Sequence, residues 1–251
     1  MVEPKMMFHA AIYAPVAAKI YDELSGAYAR KIAAWIASRP KPEDASIIDI
    51  GCGTGTLIRT LERTGWTCLG VDSSRAMVLV ARSRVRASAI RLGDACAFTS
   101  PTRVSCVTAF GDVANHLQTK TRLRAFLSCA HKALRPDGEL IIDSLNPSDI
   151  NSNWATYLEY THSPTWRLIR VGRRIGPGQG ELRYEYFSRA RAGHWTLHTE
   201  IHRLTAWSAS ELGAELRASG FNAIKFIDAE TLHKPTPKSV RWLIIARRST
   251  R

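Results

Sequence analysis

Four aspartates and three glycines are the residues best suited to chemistry in this chain. They are spaced as Asp49-Ile50-Gly51-Cys52-Gly53-Thr54-Gly55, with Asp72, Asp94 and Asp112 downstream. The glycines carry no Cβ, so the backbone there can turn sharply and approach a ligand closely. The helix start that follows offers free N–H groups to that ligand. Asp49 puts a negative charge beside the same pocket, which opposes a pyrophosphate and favours a ligand with a cationic amine. The glycine spacing is GxGxG and differs from the GxGxxG of dinucleotide folds.

These residues need elements to position them. The apolar run Ile47-Ile48-Asp49-Ile50 predicts a strand covered on both faces. Leu69-Gly70-Val71-Asp72 predicts a second strand that ends in an acid. It lies about 20 residues past the glycines, the length of one strand–helix–strand unit. Val104 to Phe110 predicts another strand, and Ala133 to Ile142 a turn leading into the next. Asp72, Asp94 and Asp112 then each fall at the carboxyl end of a parallel strand, the edge where open α/β sheets bind ligands.

The set resembles the motifs of the class I S-adenosylmethionine-dependent methyltransferases. The glycine loop is similar to motif I, and Leu69-Gly70-Val71-Asp72-Ser73-Ser74 to the segment that closes strand two. Arg91-Leu92-Gly93-Asp94-Ala95 resembles the segment after strand three. Gly111-Asp112-Val113-Ala114-Asn115-His116-Leu117 is similar to the motif after strand four in small-molecule methyltransferases, with Gly111 standing between Phe110 and Asp112. Ala133 to Ile142 looks like the LxPGG turn, with Asp137 in place of its first glycine. The matches cover residues 47 to 142.

The resemblance implies an α/β fold: a Rossmann-like, seven-stranded, mostly parallel sheet flanked by helices. It implies S-adenosylmethionine as cofactor, S-adenosylhomocysteine as product, and no metal. Asp49, Gly51, Cys52, Gly53 and Gly55 would hold the methionine end, and Asp72 with Ser73 the ribose. Asp94 and Ala95 would read the adenine, with Met77 packed on the ring. Phe110, Gly111 and Asp112 would line the pocket after strand four. His116 would be the general base, with an ordinary pKa of about 6.5, and Asn115 would orient cofactor or acceptor. Tyr13-Ala14-Pro15-Val16-Ala17-Ala18-Lys19-Ile20-Tyr21-Asp22 resembles an entry helix folding over the cofactor. Tyr13 and Tyr21 lie eight apart and would share a helix face, one phenol reaching cofactor or acceptor.

Residues 1 to 45 are expected to form a helical cap, with one helix from Tyr13 to Leu24 and a second from Ala27 to Ser38. Residues 46–150 and 207–251 would form the cofactor domain. Between them, residues 151–206 lose helical periodicity. Trp166 to Ile175, Leu182 to Ala190 and His194 to Trp207 alternate and are separated by glycine-rich breaks, which predicts an antiparallel meander. By analogy with small-molecule methyltransferases it would be a lid over the acceptor site. His198, Glu200 and His202 share one strand face, expected to be the solvated one. Ser208 and Glu211 have capping-box spacing, and Gly220 marks a helix stop.

The chain has 251 residues, 45% of them hydrophobic, enough for one domain with an insertion. No apolar run approaches the roughly 20 residues that span a bilayer. Met6 to Ala18 is apolar, yet it contains His9 and Pro15 and lacks a basic leader, so it is not read as a signal segment. The five cysteines show no CxxC or zinc spacing, which suits free thiols in the cytoplasm. A net charge of +13 points toward RNA or an acidic substrate, but the arginines are scattered and no RNA-binding module is appended. The expected acceptor is therefore a small molecule, methylated at nitrogen or possibly at a hydroxyl. The rival readings are an RNA or protein methyltransferase, a non-catalytic S-adenosylmethionine-binding protein and, more distantly, a nicotinamide oxidoreductase.

Overall fold

The computed structural model describes residues 13–86, 89–190 and 193–249. The part of the apolar Met6–Ala18 stretch that precedes Tyr13 lies outside them. Seven strands make one sheet: β1 (Ser46–Ile50), β2 (Thr67–Asp72), β3 (Ile90–Leu92), β4 (Val104–Ala109), β5 (Leu134–Leu145), β10 (Phe221–Asp228) and β11 (Arg241–Arg248). Their order is β10-β11-β5-β4-β1-β2-β3. β1 pairs in parallel with both β2 and β4, while β11 runs antiparallel to β5 and β10. The chain leaves β1 toward β2 and returns to β4 on its other side. The crevice beyond the carboxyl end of β1 is thus the topological switch point, where such sheets hold ligands.

The strands form because they are apolar on both sides. All six residues of β4 are buried, as are four of the five in β1. α2 (Thr56–Glu62), α3 (Arg75–Arg82), α5 (Lys120–Ala133) and α7 (Ala209–Ala218) pack around them. α7 starts at the Ser208–Glu211 capping box expected from the sequence, and Gly220 follows its end at φ +85°. Asp137, in the glycine position of the turn into β5, takes a left-handed φ of +58°.

The N-terminal region differs from expectation. One helix, α1 (Pro15–Ser38), replaces the two expected. Gly26 lies buried inside it and does not break it. The helical bonds are kept because Ile32, Ala33 and Ile36 bury with Leu57, Ile58 and Leu61 of α2. Each isoleucine contributes roughly 1.5–3 kcal/mol, more than the ~1 kcal/mol penalty of a mid-helix glycine.

The second sheet is antiparallel, in the order β6 (Leu158–His162), β7 (Trp166–Gly176), β8 (Gln179–Arg189), β9 (Trp195–Thr205). It includes the three expected runs and one further strand, β6. α6 (Pro147–Asn153) leads into it from β5. Its inner face carries Trp166, Leu168 and Tyr186, which bury against Ala17 and Ile20 of α1. Among the described residues no helix is long and apolar enough to cross a membrane.

Candidate active site

Two cavities meet at the carboxyl edge of β1. Their shared wall is Tyr13, Tyr21, Gly51, Gly53, Phe110 and Gly111. The first, about 280 Å³, continues toward β2 and β3 past Asp72, Ser73, Met77, Asp94 and Ala95. The second, about 260 Å³, continues under the meander past Tyr184, Tyr186 and Arg170.

The glycine loop builds the wall between them. Gly51 adopts φ +68°, and a Cβ there would sit 2.3 Å from Val113 Cγ2. Only glycine lets the loop pass this close beneath the short helix α4 (Val113–His116). The loop is fixed by Asp72, whose Oδ2 accepts the Gly53 N–H at 2.8 Å and whose Oδ1 accepts the Ser74 N–H at 2.7 Å. Burial raises the Asp72 carboxyl above the usual range, and these two N–H groups oppose the rise.

Asp49 is also buried and accepts from Thr108 Oγ1 at 2.8 Å. Burial pushes its pKa up to about 7, with Thr108 pulling the other way. Such an acid ionises fully once a cation is beside it. Asp94 is half exposed, held by Arg122 Nη2 at 3.0 and 3.2 Å and by the Cys96 N–H at 2.8 Å. Met77 is buried and lines the first cavity. Cys52 lines the second, its buried thiol pushed well up and therefore protonated.

Tyr13 and Tyr21 meet edge to face with ring centroids 5.6 Å apart, but not as neighbours on a helix. Tyr13 precedes α1 with φ +61°. This left-handed residue is pinned from both sides. Its carbonyl accepts from Ser74 Oγ at 2.8 Å, and its N–H donates to Glu200 Oε2 at 2.9 Å. Burial raises both phenols, so both stay protonated at neutral pH.

The His198–Glu200–His202 column corrects the expected solvated face. Glu200 and His202 are 2% and 1% exposed and point inward. The cause is the N-terminus of α1, which has no side-chain cap of its own. Glu200 caps it from the meander, accepting the Ala14 N–H at 2.7 Å as well as the Tyr13 N–H. Its Oε2 also pairs with His202 Nε2 at 2.9 Å. Glu200 and His202 are therefore buried beside the site, next to Tyr13 and to His116, whose ring lies 5.5 Å from that of His202, while the His198 side chain stays 43% exposed.

His116 departs from the expected titration near neutrality. Burial first, then neighbouring His202, pushes its pKa down to about 4, and its buried Nδ1 has no partner among the described residues. At pH 7 it is a neutral imidazole. Asn115 is fully buried and engaged within the fold. Its Nδ2 donates to Thr205 O and Ser144 Oγ, and its Oδ1 accepts the Leu145 N–H, tying β5 to β9.

The side chains that hold Asp112 and the glycine loop carried no sequence signal. Asp112 has φ +71° and is held by Arg241 Nη1 at 2.6 Å. Burial raises its carboxyl, but Arg241 outweighs that and keeps it below the usual range. Arg241 also donates to Asp143 at 3.0 Å, and Tyr28 donates to the same carboxylate at 2.9 Å. Asp22 bonds Thr54, Thr56 and Arg84, locking α1 onto the glycine loop. These partners lie up to 129 residues apart in the chain, so no local spacing exposes them.

A family model described as a methyltransferase domain matches residues 22–225. The chain belongs to the class I S-adenosylmethionine-dependent methyltransferases. A putative methyltransferase of Geobacillus sp. (strain WCH70) is 25% identical over 226 residues, covering 80% of this chain and 84% of its own. The dTDP-3-amino-3,4,6-trideoxy-alpha-D-glucopyranose N,N-dimethyltransferase of Streptomyces venezuelae is 24% identical over 196 residues, covering 77% and 82%. Among solved structures, an S-adenosylmethionine-dependent methyltransferase from Clostridium acetobutylicum shares the fold. Its TM-score is 0.78 at 16% identity, over 92% of this chain and 97% of that one.

The residues of this methyltransferase fit its cofactor. The glycine loop leaves open the space that a Cβ on Gly53 would fill, 3.4 Å from the Tyr21 ring. The first cavity offers a buried carboxylate at Asp72 and an apolar lining of Val71, Met77, Val113 and Leu117, the pairing that a ribose and a flat base require. Asp49 offers a buried anion where the loop turns.

Proposed function

We propose that this methyltransferase methylates a nitrogen of a small-molecule amine in the second cavity. The observation that carries the reading is the shared wall. A ligand along the glycine loop and one under the meander would meet along the wall of Tyr13, Tyr21, Gly51, Gly53, Phe110 and Gly111. The Streptomyces relative, named for N,N-dimethylation of an amino sugar, supports nitrogen as the acceptor atom.

In this reading Asp49 and the loop of Gly51, Cys52, Gly53 and Gly55 hold the amino-acid end of the cofactor. Asp72 and Ser73 hold the ribose, and Asp94, Ala95 and Met77 the base. When bound, the cofactor supplies a methyl group on a sulfonium, already an excellent leaving group. The chain has to align the acceptor and keep its lone pair free. On transfer the nitrogen would gain the methyl group as the C–S bond gives its electron pair to sulfur, and the proton lost from the nitrogen would pass to solvent water. Asp112 is placed to hold an acceptor N–H, since its Oδ2 accepts no hydrogen bond among the described residues. Tyr13 and Tyr21, protonated, can donate to an acceptor oxygen but cannot take the proton. His116, neutral above pH about 4, is free to accept a hydrogen bond and orient the nitrogen. Residues 151–206 act as the lid that excludes water, residues 1–45 as the cap, and the rest as the cofactor domain. Five free cysteines support a reducing, cytoplasmic setting.

The test is calorimetric titration with S-adenosylhomocysteine, with NADH and a short mixed RNA as controls. It is followed by turnover of an amine panel, read as S-adenosylhomocysteine formed together with methylated product. Tight S-adenosylhomocysteine binding and amine turnover are expected. Binding with no turnover of any amine, or RNA binding that persists at physiological salt, would sink the amine reading.

A further inference from the structure

Among the described residues the acceptor cavity offers no unpaired guanidinium or ammonium, although the protein is basic. The chain carries a net +13. The cavity is lined by Asp22, Asp49 and Asp112 and by the guanidiniums of Arg170 and Arg241; Asp22 is paired with Arg84, and Asp49 belongs to the cofactor's amino-acid end in the proposed reading. Both guanidiniums are already paired: Arg170 with Glu159, and Arg241 with both Asp112 and Asp143. Arg170 keeps one buried Nε–H without a partner among the described residues, enough for one neutral oxygen. Around these charges stand five tyrosine rings, Tyr13, Tyr21, Tyr28, Tyr184 and Tyr186. Tyr184 and Tyr186 are stacked with centroids 5.8 Å apart.

This lining selects by charge. A diphosphate would bring at least two negative charges into a cavity whose guanidiniums are both already paired. It could be matched only by breaking ion pairs and leaving Asp112, Asp143 or Glu159 buried and unpaired. A cationic or neutral amine meets the free Oδ2 of Asp112 and the electron-rich faces of tyrosines.

Resting on the amine-methylation reading, we propose that the acceptor is a phosphate-free amine. It is seated against the tyrosine wall with its N–H groups on Asp112, and the site excludes amines that carry a nucleoside diphosphate. The chain thus differs in substrate class from its Streptomyces relative, whose name specifies a dTDP-linked sugar.

The experiment is calorimetry on protein saturated with S-adenosylhomocysteine, titrated with phenethylamine, cyclohexylamine and, separately, thymidine diphosphate. At least one amine should bind at least tenfold tighter than thymidine diphosphate. Asp112→Asn should weaken that amine at least fivefold and leave thymidine diphosphate no weaker. Tyr184→Leu repeats the test should Asp112→Asn lose S-adenosylhomocysteine binding. Tighter binding of thymidine diphosphate overturns the proposal, as does binding of neither probe class or amine affinity indifferent to both variants. Any of these on a protein that still binds S-adenosylhomocysteine and methylates some amine removes only the phosphate-free acceptor. Failure to bind S-adenosylhomocysteine removes the reading on which it rests.

Discussion

The two halves of the site are built by opposite means. The edge of β1 and β2 is made from consecutive residues. Its glycines and carboxylates are joined mostly to backbone, as where Asp72 holds Gly53 and Ser74. The face under the meander is made from distant side chains holding one another, as in Arg241 with Asp112 and Asp143, or Glu200 with the start of α1. A backbone-built edge depends on conformation, so its weak points are single glycines. A side-chain-built face depends on charge balance, so its weak points are single ionisable groups. Substitutions in the first should change stability and cofactor affinity. Those in the second should change acceptor handling and leave the cofactor alone.

The largest expected effect is at Gly51. Alanine there must adopt φ +68°, costing about 1–2 kcal/mol, and must displace Val113 from 2.3 Å, costing about 1–3 kcal/mol more. Gly51→Ala should lower stability by about 3 kcal/mol, read as a shift of the denaturation midpoint. A shift under about 0.5 kcal/mol would mean the edge is not conformationally dictated. Next is Asp72→Ala, which removes the carboxylate that fixes the loop. S-adenosylhomocysteine affinity should fall by about 1.5–3 kcal/mol, the worth of charged hydrogen bonds. Unchanged affinity in calorimetry would break the assignment of the first cavity to the nucleoside.

The same contrast governs what the sequence revealed. The parallel sheet, the glycine loop and Asp49, Asp72 and Asp94 were legible because motif and strand order lie along the chain at fixed spacing. The capping box at Ser208 was legible for the same local reason. Arg170 was not, because it reaches the site only when the meander folds over it, and Arg241 and Asp143 were not, because they meet only when β11 pairs with β5. The buried His202 was misread because alternation identifies which residues share a face, not which face is inside. The capping of α1 by Glu200 decides that, and it is a contact between residues 186 apart. His116 was found, but its ordinary pKa was assumed, and burial is not visible in a lone histidine.

Asp49 offers a smaller, titrable effect at the edge. The folded protein holds its proton up to about pH 7, whereas the unfolded chain releases it near 4. The native state binds more protons across that window, so Asp49 contributes less stability as pH rises through it. A cationic ligand reverses the sense, because it prefers the ionised acid. S-adenosylhomocysteine affinity should therefore rise up to about tenfold, or about 1.4 kcal/mol, from about pH 6 to 8. Asp49→Asn should flatten the profile, and a variant that keeps the wild-type slope would place the titrating group elsewhere. His116 works in the opposite sense. Its depressed pKa favours the neutral form in the fold, so its stabilising contribution is present above about pH 6.5 and lost as pH falls toward 4.

The smallest expected effect falls where the two halves join. Tyr13 touches both, its carbonyl on Ser74 beside the cofactor edge and its N–H on Glu200 of the meander. Glu200→Gln keeps the shape but removes the charge that faces the end of α1 and His202. The loss should be about 1 kcal/mol, as for a helix cap. It should appear as a several-fold rise in acceptor KM, with S-adenosylhomocysteine affinity changed less than twofold. Equal losses on both sides would show that Tyr13 transmits strain between the cavities. The site would then act as one unit rather than as a rigid edge with a separately balanced wall.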